Sequence, residues 1–262
     1  FRAPQAFDED MHIENVGGTV AMIERTKNLK EEKSQSFSAS ADIYHRFGAF
    51  QTNFLIEGFY TKLTDVFVLG EPYNRGDGVL VKLRSNGPGA KVVGETLEGK
   101  LAYLSLLQVQ AGLTLQRSRY DEPHKWHDDV PAKRTIFRTP NVYGYFTATY
   151  IPIKPLSIAL SGTYTGSMFV QRMDITAENA AMGDMPERKA EAVKTPKFLD
   201  LGVKLAYDFK LYKTVDLQLS GGVQNILEAY QKDFDRGANR DSGYIYGPAL
   251  PRSFFAGVKI SY

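Results

Sequence analysis

The sequence predicts an all-β protein, an antiparallel transmembrane β-barrel segment of about nine to ten strands, and three observations predict it. Apolar and polar residues alternate with period two in repeated stretches long enough to cross a bilayer as tilted strands, which takes roughly 9–11 residues. The connections between these stretches alternate short and long. Aromatic residues, 32 in all, gather at the ends of the alternating stretches. No apolar run reaches the roughly 18 residues of a membrane-spanning helix, whereas a barrel strand dilutes its lipid-facing residues with lumen-facing ones.

Nine strands follow in order. The first two, 33–46 and 50–69, flank the tight turn Phe47-Gly48-Ala49. The next two, 90–99 and 105–119, flank a short link near Lys100 to Leu104; in the second, Leu107, Val109, Ala111, Leu113 and Leu115 face away from Gln108, Gln110, Thr114 and Gln116. Strands 140–151 and 156–171 flank Pro152-Ile153-Lys154-Pro155, and Leu156, Ile158, Leu160, Tyr164, Met168 and Val170 alternate with Ser and Thr. In 198–209, Leu199 to Phe209 alternate with Asp200, Gly202, Lys204, Ala206 and Asp208. After the link 210–213, strand 214–227 sets Val215, Leu217, Leu219 and Val223 against Asp216, Gln218, Ser220 and Gln224. The last, 253–262, sets Phe254, Ala256, Val258, Ile260 and Tyr262 against Gly257, Lys259 and Ser261, with Phe255 the one apolar exception.

The polar faces carry Ser, Thr, Gln and charges, so they meet water or polar side chains and not a second apolar layer. Leu201, Val203, Leu205, Leu217, Leu219, Val258 and Ile260 are expected to face lipid, and Lys204, Gln218 and Lys259 the lumen. Long connections over 70–89, 120–139, 172–197 and 228–252 fall at one rim, the plan of an up-and-down barrel with outer loops and periplasmic turns. Helix formers Ala177, Glu187, Ala190 and Ala192 leave room for a short helix within 174–194. One aromatic girdle is expected from Tyr44, Phe47, Phe50, Tyr150, Phe209, Tyr212 and Tyr262, the other from Phe67, Tyr120, Phe169, Phe198 and Tyr230.

A net charge of +2 with scattered basic residues gives no footprint for nucleic acid. Cysteine is absent, which excludes disulfides, thiolate metal sites and cysteine nucleophiles. Nine strands cannot close a bacterial barrel, which uses an even number, so the chain is expected to be a piece of a larger one. It starts at Phe1 without initiator Met or signal peptide.

The stretches Phe1 to Ile13, Asn28 to Ser34, Gly222 to Gln231, Asp241 to Pro248 and Pro251-Arg252 resemble the C-terminal portion of TonB-dependent outer-membrane receptors, closest to those of the Bacteroides group. Glu31 stands where that family commonly has proline. The resemblance implies that residues 1–262 are the C-terminal part of a barrel of about 22 strands, with the plug domain absent from this sequence. It implies an outer-membrane location in a Gram-negative bacterium, a TonB complex reached through the missing N-terminal region, and no enzymatic role and no cofactor. It further implies active uptake of a scarce bulky nutrient, a ferric siderophore, haem or cobalamin. Outer-membrane lipid, a small-molecule or metal-chelate ligand and the barrel assembly machinery are the expected partners. Phe254 and Tyr262 in the last strand resemble the signal that this machinery reads.

The segment Tyr120 to Asp129 is the one cluster with chemical character, holding His124, His127, the only Trp (Trp126) and four carboxylates. Trp and Tyr can stack on a planar ligand, and imidazole with carboxylate can bind a divalent metal, although no metal set is assigned. The candidate ligand-binding residues are Tyr120, His124, Trp126 and His127, joined by Tyr244 and Tyr246 from the last long loop. No nucleophile-base-acid arrangement emerges, so no catalytic residue is assigned. The rival readings are a complete small outer-membrane barrel acting as a protease or adhesin, and a soluble ligand-binding barrel.

Overall fold

The computed structural model describes residues 1–3, 22–77, 79–175, 188–212, 215–237, 240–241 and 243–261. Its strands are β1 (Met22–Arg25), β2 (Lys33–Phe47), β3 (Phe50–Thr64), β4 (Phe67–Asn74), β5 (Leu80–Asn86), β6 (Ala90–Tyr103), β7 (Leu107–His124) and β8 (Lys133–Thr135). They continue as β9 (Val142–Ile153), β10 (Leu156–Thr165), β11 (Phe169–Ile175), β12 (Arg188–Lys194), β13 (Phe198–Tyr212), β14 (Val215–Gln224) and β15 (Ser253–Ser261). The described residues contain no helix.

One sheet carries the architecture. Its path is β15-β14-β13-β10-β9-β7-β6-β3-β2, with β8 paired to β7 off the path, and every pairing in it is antiparallel. The nine strands of the path are the nine expected from alternation. The path does not close on itself among the described residues, because β2 and β15 each pair on one side only.

Register sorts the side chains into two faces, since residues directly opposed in a ladder share a face. Val203, Leu205, Tyr207 and Phe209 oppose Val223, Gly221, Leu219 and Leu217, and these oppose Phe254, Ala256, Val258 and Ile260. Lys204 and Asp208 fall with Gly222, Gln218 and Lys259 on the other side. The same apolar face continues through Leu156, Ile158 and Leu160, through Ala148 and Phe146, through Val109, Ala111 and Leu113, and through Leu97, Ile56, Phe54 and Ile43.

The apolar face is also the open one. Phe37 is 71% exposed, Phe254 77% and Val258 69%, while the buried strand residues Ala90, Thr114, Ser118, Phe198 and Ala206 lie on the polar face. Curvature crowds the concave face of a sheet and spreads the convex one, so the aliphatic face is convex. A soluble protein does not leave such a continuous apolar surface to water, but a barrel wall presents it to lipid.

Phe255 breaks the alternation for a physical reason. Its ring covers Gly222 on the neighbouring strand, where an added Cβ would stand 2.5 Å from it. Tyr145 covers Gly112 and Phe59 covers Gly94 in the same way, so large rings on the polar face fill spaces that glycines leave.

The tight ends fall near expectation, except that Lys100 to Tyr103, expected in a link, are paired with Gln110 to Leu107, and β6 turns into β7 at residues 104–106. Gly48, at φ 59°, makes the β2–β3 turn, where a left-handed backbone suits glycine. Beside it the rings of Phe47, Phe50 and Tyr103 follow one another at 5.3 and 4.6 Å. Phe47, Phe50, Tyr150 and Phe209 sit on the apolar face at this inner rim, but Tyr44, opposite Asn53, is on the polar face. The Tyr212 side chain and Tyr262 lie outside the described residues.

The outer rim departs from expectation. Tyr120 and Phe198 point to the polar face, while Phe67 and Phe169 leave the sheet altogether and Tyr230 lies in the last loop. The outer aromatics of the apolar face are instead Phe37, Tyr60, Tyr164 and Phe254.

Strand 214–227 ends three residues early, at Gln224, and two expected strands are shorter still than alternation suggests. Strand 50–69 ends at Thr64, where Asp65 takes φ 54°; the chain then forms β4 and β5, which join β1 in a separate three-stranded sheet. Strand 156–171 ends at Thr165, and β11 pairs with β12 as a ribbon of its own. Ala190 and Ala192, read as helix formers, belong to β12, because pairing with Met173 and Gln171 satisfies their backbone and overrides local propensity. Ala177 and Glu187 lie outside the described residues.

Candidate functional site

β7 continues past the sheet as it rises, and its outer end carries Tyr120 and His124 with ring centroids 5.2 Å apart. Burial raises the Tyr120 phenol above its ordinary value, helped by the charge of Glu32, and burial lowers the His124 imidazole. The chain then turns through an ion pair of Lys125 with Asp128 at 2.5 Å. The Asp129 backbone N–H donates to His127 Nδ1 at 3.2 Å, and the Asp129 carboxylate accepts the Ala190 N–H, tying this loop to β12.

Trp126 starts a file of rings. It meets His127 at 5.9 Å and Phe137 edge-on at 6.2 Å, and Phe137 meets Phe169 at 6.3 Å. The Lys133 ammonium stands 4.3 Å over the Phe169 ring, a cation–π contact. This arrangement offers half-buried aromatic surface beside cations, suited to stacking on a planar anionic ligand.

The last long loop is built on a polar knot. Asn225, at φ 48°, ends β14, and its side chain accepts the Ala229 N–H and donates to the Leu250 carbonyl, both at 2.8 Å. Buried Gln231 donates to the Tyr244 carbonyl at 3.0 Å and accepts the Tyr246 N–H at 2.9 Å. The Tyr244 and Tyr246 hydroxyls both donate to the Asp233 carboxylate. Arg172 pairs with Asp235 at 2.8 Å and lies over the Tyr244 ring.

The electrostatics of the knot follow from these bonds. Burial, then the hydrogen bonds to Asp233, push the Tyr244 and Tyr246 phenols up, Tyr246 the further. Burial acts to raise the Asp233 carboxyl, but the bonds it receives from Tyr246 and Tyr244 outweigh it and hold the group below its usual value.

Arg138 joins the two halves. Its backbone takes φ 57°, its N–H donates to the Phe169 carbonyl at 2.7 Å, and its guanidinium donates to the carbonyls of Ile245, at 2.8 Å, and Gly243. A left-handed non-glycine residue is held only where its surroundings fix it. Beneath, Tyr246 packs on Phe198, and Gly247 at φ 84° approaches the same ring so closely that a Cβ would stand 2.8 Å from it. Phe198 is on the polar face of the sheet, so the loop folds over that face.

The two segments singled out in the sequence, 120–139 and 228–252, thus meet in one layer. Trp126 and His127 lie in its aromatic file, Tyr120 and His124 form a separate pair on β7, and Tyr244 and Tyr246 are buried with their hydroxyls engaged. Among the described residues no three His, Asp or Glu side chains converge as a metal site. Arg138, Gln231 and Asp233 were not legible as site residues, since their partners come from distant turns. Asn225 carried a signal, at the end of a strand within a recognisable stretch, and Gln231 closes that same stretch without any sign of its buried partners.

A family model described as TonB dependent receptor-like, beta-barrel, matches residues 1–226. A comparison with curated proteins returned no match. Among solved structures, the ferric-catecholate import receptor Fiu of E. coli K12 is similar at 19% identity and TM-score 0.56, over 95% of this chain and 31% of that one. The ferripyoverdine receptor of Pseudomonas aeruginosa, bound to ferripyoverdine, is similar at 15% identity and TM-score 0.59, over 90% of this chain and 28% of that one. The copper transporter OprC is similar at 16% identity and TM-score 0.57, over 90% and 32%. At these identities the likeness is one of fold, and the chain spans about a third of the length of the structures it matches.

Proposed function

This chain belongs to the family of TonB-dependent receptor β-barrels, which places it in the outer membrane of a Gram-negative bacterium, and from that premise we propose that it serves the uptake of a metal chelate. Residues 1–262 are then the C-terminal part of the receptor barrel, with the plug and the TonB contact supplied from upstream. A ferric siderophore is the favoured cargo, with haem and cobalamin as the other candidates; two of the solved neighbours are named for ferric-catecholate and ferripyoverdine. The observation that carries the reading is the loop layer held over the polar face by Arg138, which puts aromatic and cationic groups above the expected lumen. Family members are receptors and transporters, and no observation favours a protease or an adhesin.

In mechanism, the outer layer captures the chelate on Trp126 and His127, and the neighbouring Lys133 offsets its negative charge. Force passed through TonB displaces the plug. The cargo then descends past polar residues such as Gln110, Thr147, Lys204 and Gln218, which share the concave face.

Binding to the intact receptor, compared across ferric siderophores, haem and cobalamin, identifies the cargo. Alanine at both Trp126 and His127 should weaken binding severalfold, since a stacked aromatic contributes on the order of 1 kcal/mol beyond its buried area. Alanine at Lys154, in the turn between β9 and β10, and at Lys213, in the link 210–213 that the sequence reads as a periplasmic turn and that lies partly outside the described residues, should leave affinity unchanged. Equal, negligible effects from both pairs would move the binding site to the rest of the receptor.

Phe254 and Tyr262 are proposed as the assembly signal. Deleting Tyr262 should lower the amount of assembled receptor more than transport per assembled molecule; normal assembly with lost transport would refute that role.

A further inference from the structure

The convex face is apolar up to Phe37 and Tyr60, and then it turns cationic. Lys62 on β3 lies directly opposite Lys91 on β6, and Lys91 directly opposite Arg119 on β7, so three cations stand in one row across three adjacent strands. Arg117, opposite Val93, is on the same face one step below, and Arg134 on β8, next to the Thr135 that opposes Arg119, is near enough for its charge to act on Asp121 and Lys91. All five are exposed.

Like charges directly opposed across a ladder destabilise it, and little within the protein offsets these. Asp121 pairs with Lys91 at 2.8 Å and also feels Lys62 and Arg134. Lys62, Arg117, Arg119 and Arg134 have no hydrogen bond or ion pair among the described residues; Glu95, diagonal to Arg117, makes no ion pair with it. The row therefore has room for a multivalent anion.

Its height says which one. Tyr60 lies ten residues along β3 from the inner-rim Phe50 and Lys62 twelve. At about 3.4 Å per residue and a tilt of about 40°, these are roughly 26 and 31 Å up, against an apolar band about 25 Å tall. The row sits just outside the hydrocarbon, facing outward, at the depth of the outer leaflet's headgroups. Arginine donors suit phosphate oxygens in fixed geometry, and lysines add charge.

We propose that Lys62, Lys91, Arg117 and Arg119, with Arg134, form an outward-facing site for the phosphate groups of an anionic lipid in the outer leaflet. Its acyl chains lie against Phe37, Tyr60 and Val93 below. The site is separate from the loop layer and does not depend on which cargo the receptor carries.

The test uses the intact receptor in neutral detergent, titrated with a bisphosphorylated glucosamine lipid, with the same lipid after phosphate removal, and with inorganic phosphate. The phosphorylated lipid should bind at least about tenfold more tightly than its dephosphorylated form, and the double variant Lys62→Gln/Arg119→Gln should lose about that factor. Lys62→Arg/Arg119→Lys should keep most of the binding, and Lys154→Gln/Lys197→Gln, which removes the same charge elsewhere, should keep all of it. Equal affinity for the two lipids would overturn the proposal, as would retention by the glutamine variant. Displacement of the lipid by inorganic phosphate at millimolar concentration would make the row a free-anion site and overturn the lipid assignment. If the glutamine variant does not assemble, the two-lipid comparison on the unaltered receptor decides.

Discussion

Valine at Gly222 should cut the amount of assembled receptor by an order of magnitude. Gly222 lies between Lys204 on β13 and Phe255 on β15, and a Cβ there would stand 2.3 Å from the Val203 carbonyl oxygen as well as 2.5 Å from the Phe255 ring. The ring can swing away, but the backbone oxygen cannot move without breaking the ladder. Overpacking of this kind costs about 1–3 kcal/mol, and tenfold corresponds to about 1.4. Trimming the ring with Phe255→Ala should not rescue Gly222→Val, because the backbone clash remains. Folded, heat-modifiable receptor on a gel is the measurement, and normal amounts would show that the seam has slack that the geometry denies.

Alanine at Arg138 should weaken ligand binding by about tenfold while leaving the barrel assembled. The guanidinium gives two charge-assisted hydrogen bonds to the loop carbonyls at Ile245 and Gly243, and nothing else described spans these segments so directly. Hydrogen bonds to charged groups contribute about 1.5–3 kcal/mol when well shielded; these lie near solvent, so a net of about 1–2 is expected. Cleavage of the 228–252 loop by protease should accelerate in step. Unchanged affinity with accelerated cleavage would separate loop order from capture, and no change in either would remove Arg138 from the account.

The wall was legible in the sequence because one physical rule writes it. A strand with lipid on one side and a polar lumen on the other must alternate, and Leu199 to Phe209 states that rule without interruption. The extensions were not legible. β12 reads Arg-Lys-Ala-Glu-Ala-Val-Lys, which carries good helix formers, and only its partner strand makes it a ribbon. Period two places Phe198 at a strand end, where a girdle residue is expected; the face it takes depends on register, and one step reverses it. The candidate site was legible as two loops but not as one layer. Arg138 meets Ile245 across 107 positions of sequence, and no local pattern encodes that. Tyr244 and Tyr246 stood out as aromatics able to stack, yet their hydroxyls reach Asp233 and their rings are buried, a consequence of packing that residue type alone does not carry.

Energised uptake tests the central claim most directly. Cells carrying the intact receptor would be given a radiolabelled ferric siderophore, with TonB present or deleted, and both surface binding and accumulation would be followed. Import through a TonB-dependent barrel predicts that deletion abolishes accumulation and leaves surface binding intact. Accumulation that continues unchanged without TonB would contradict it.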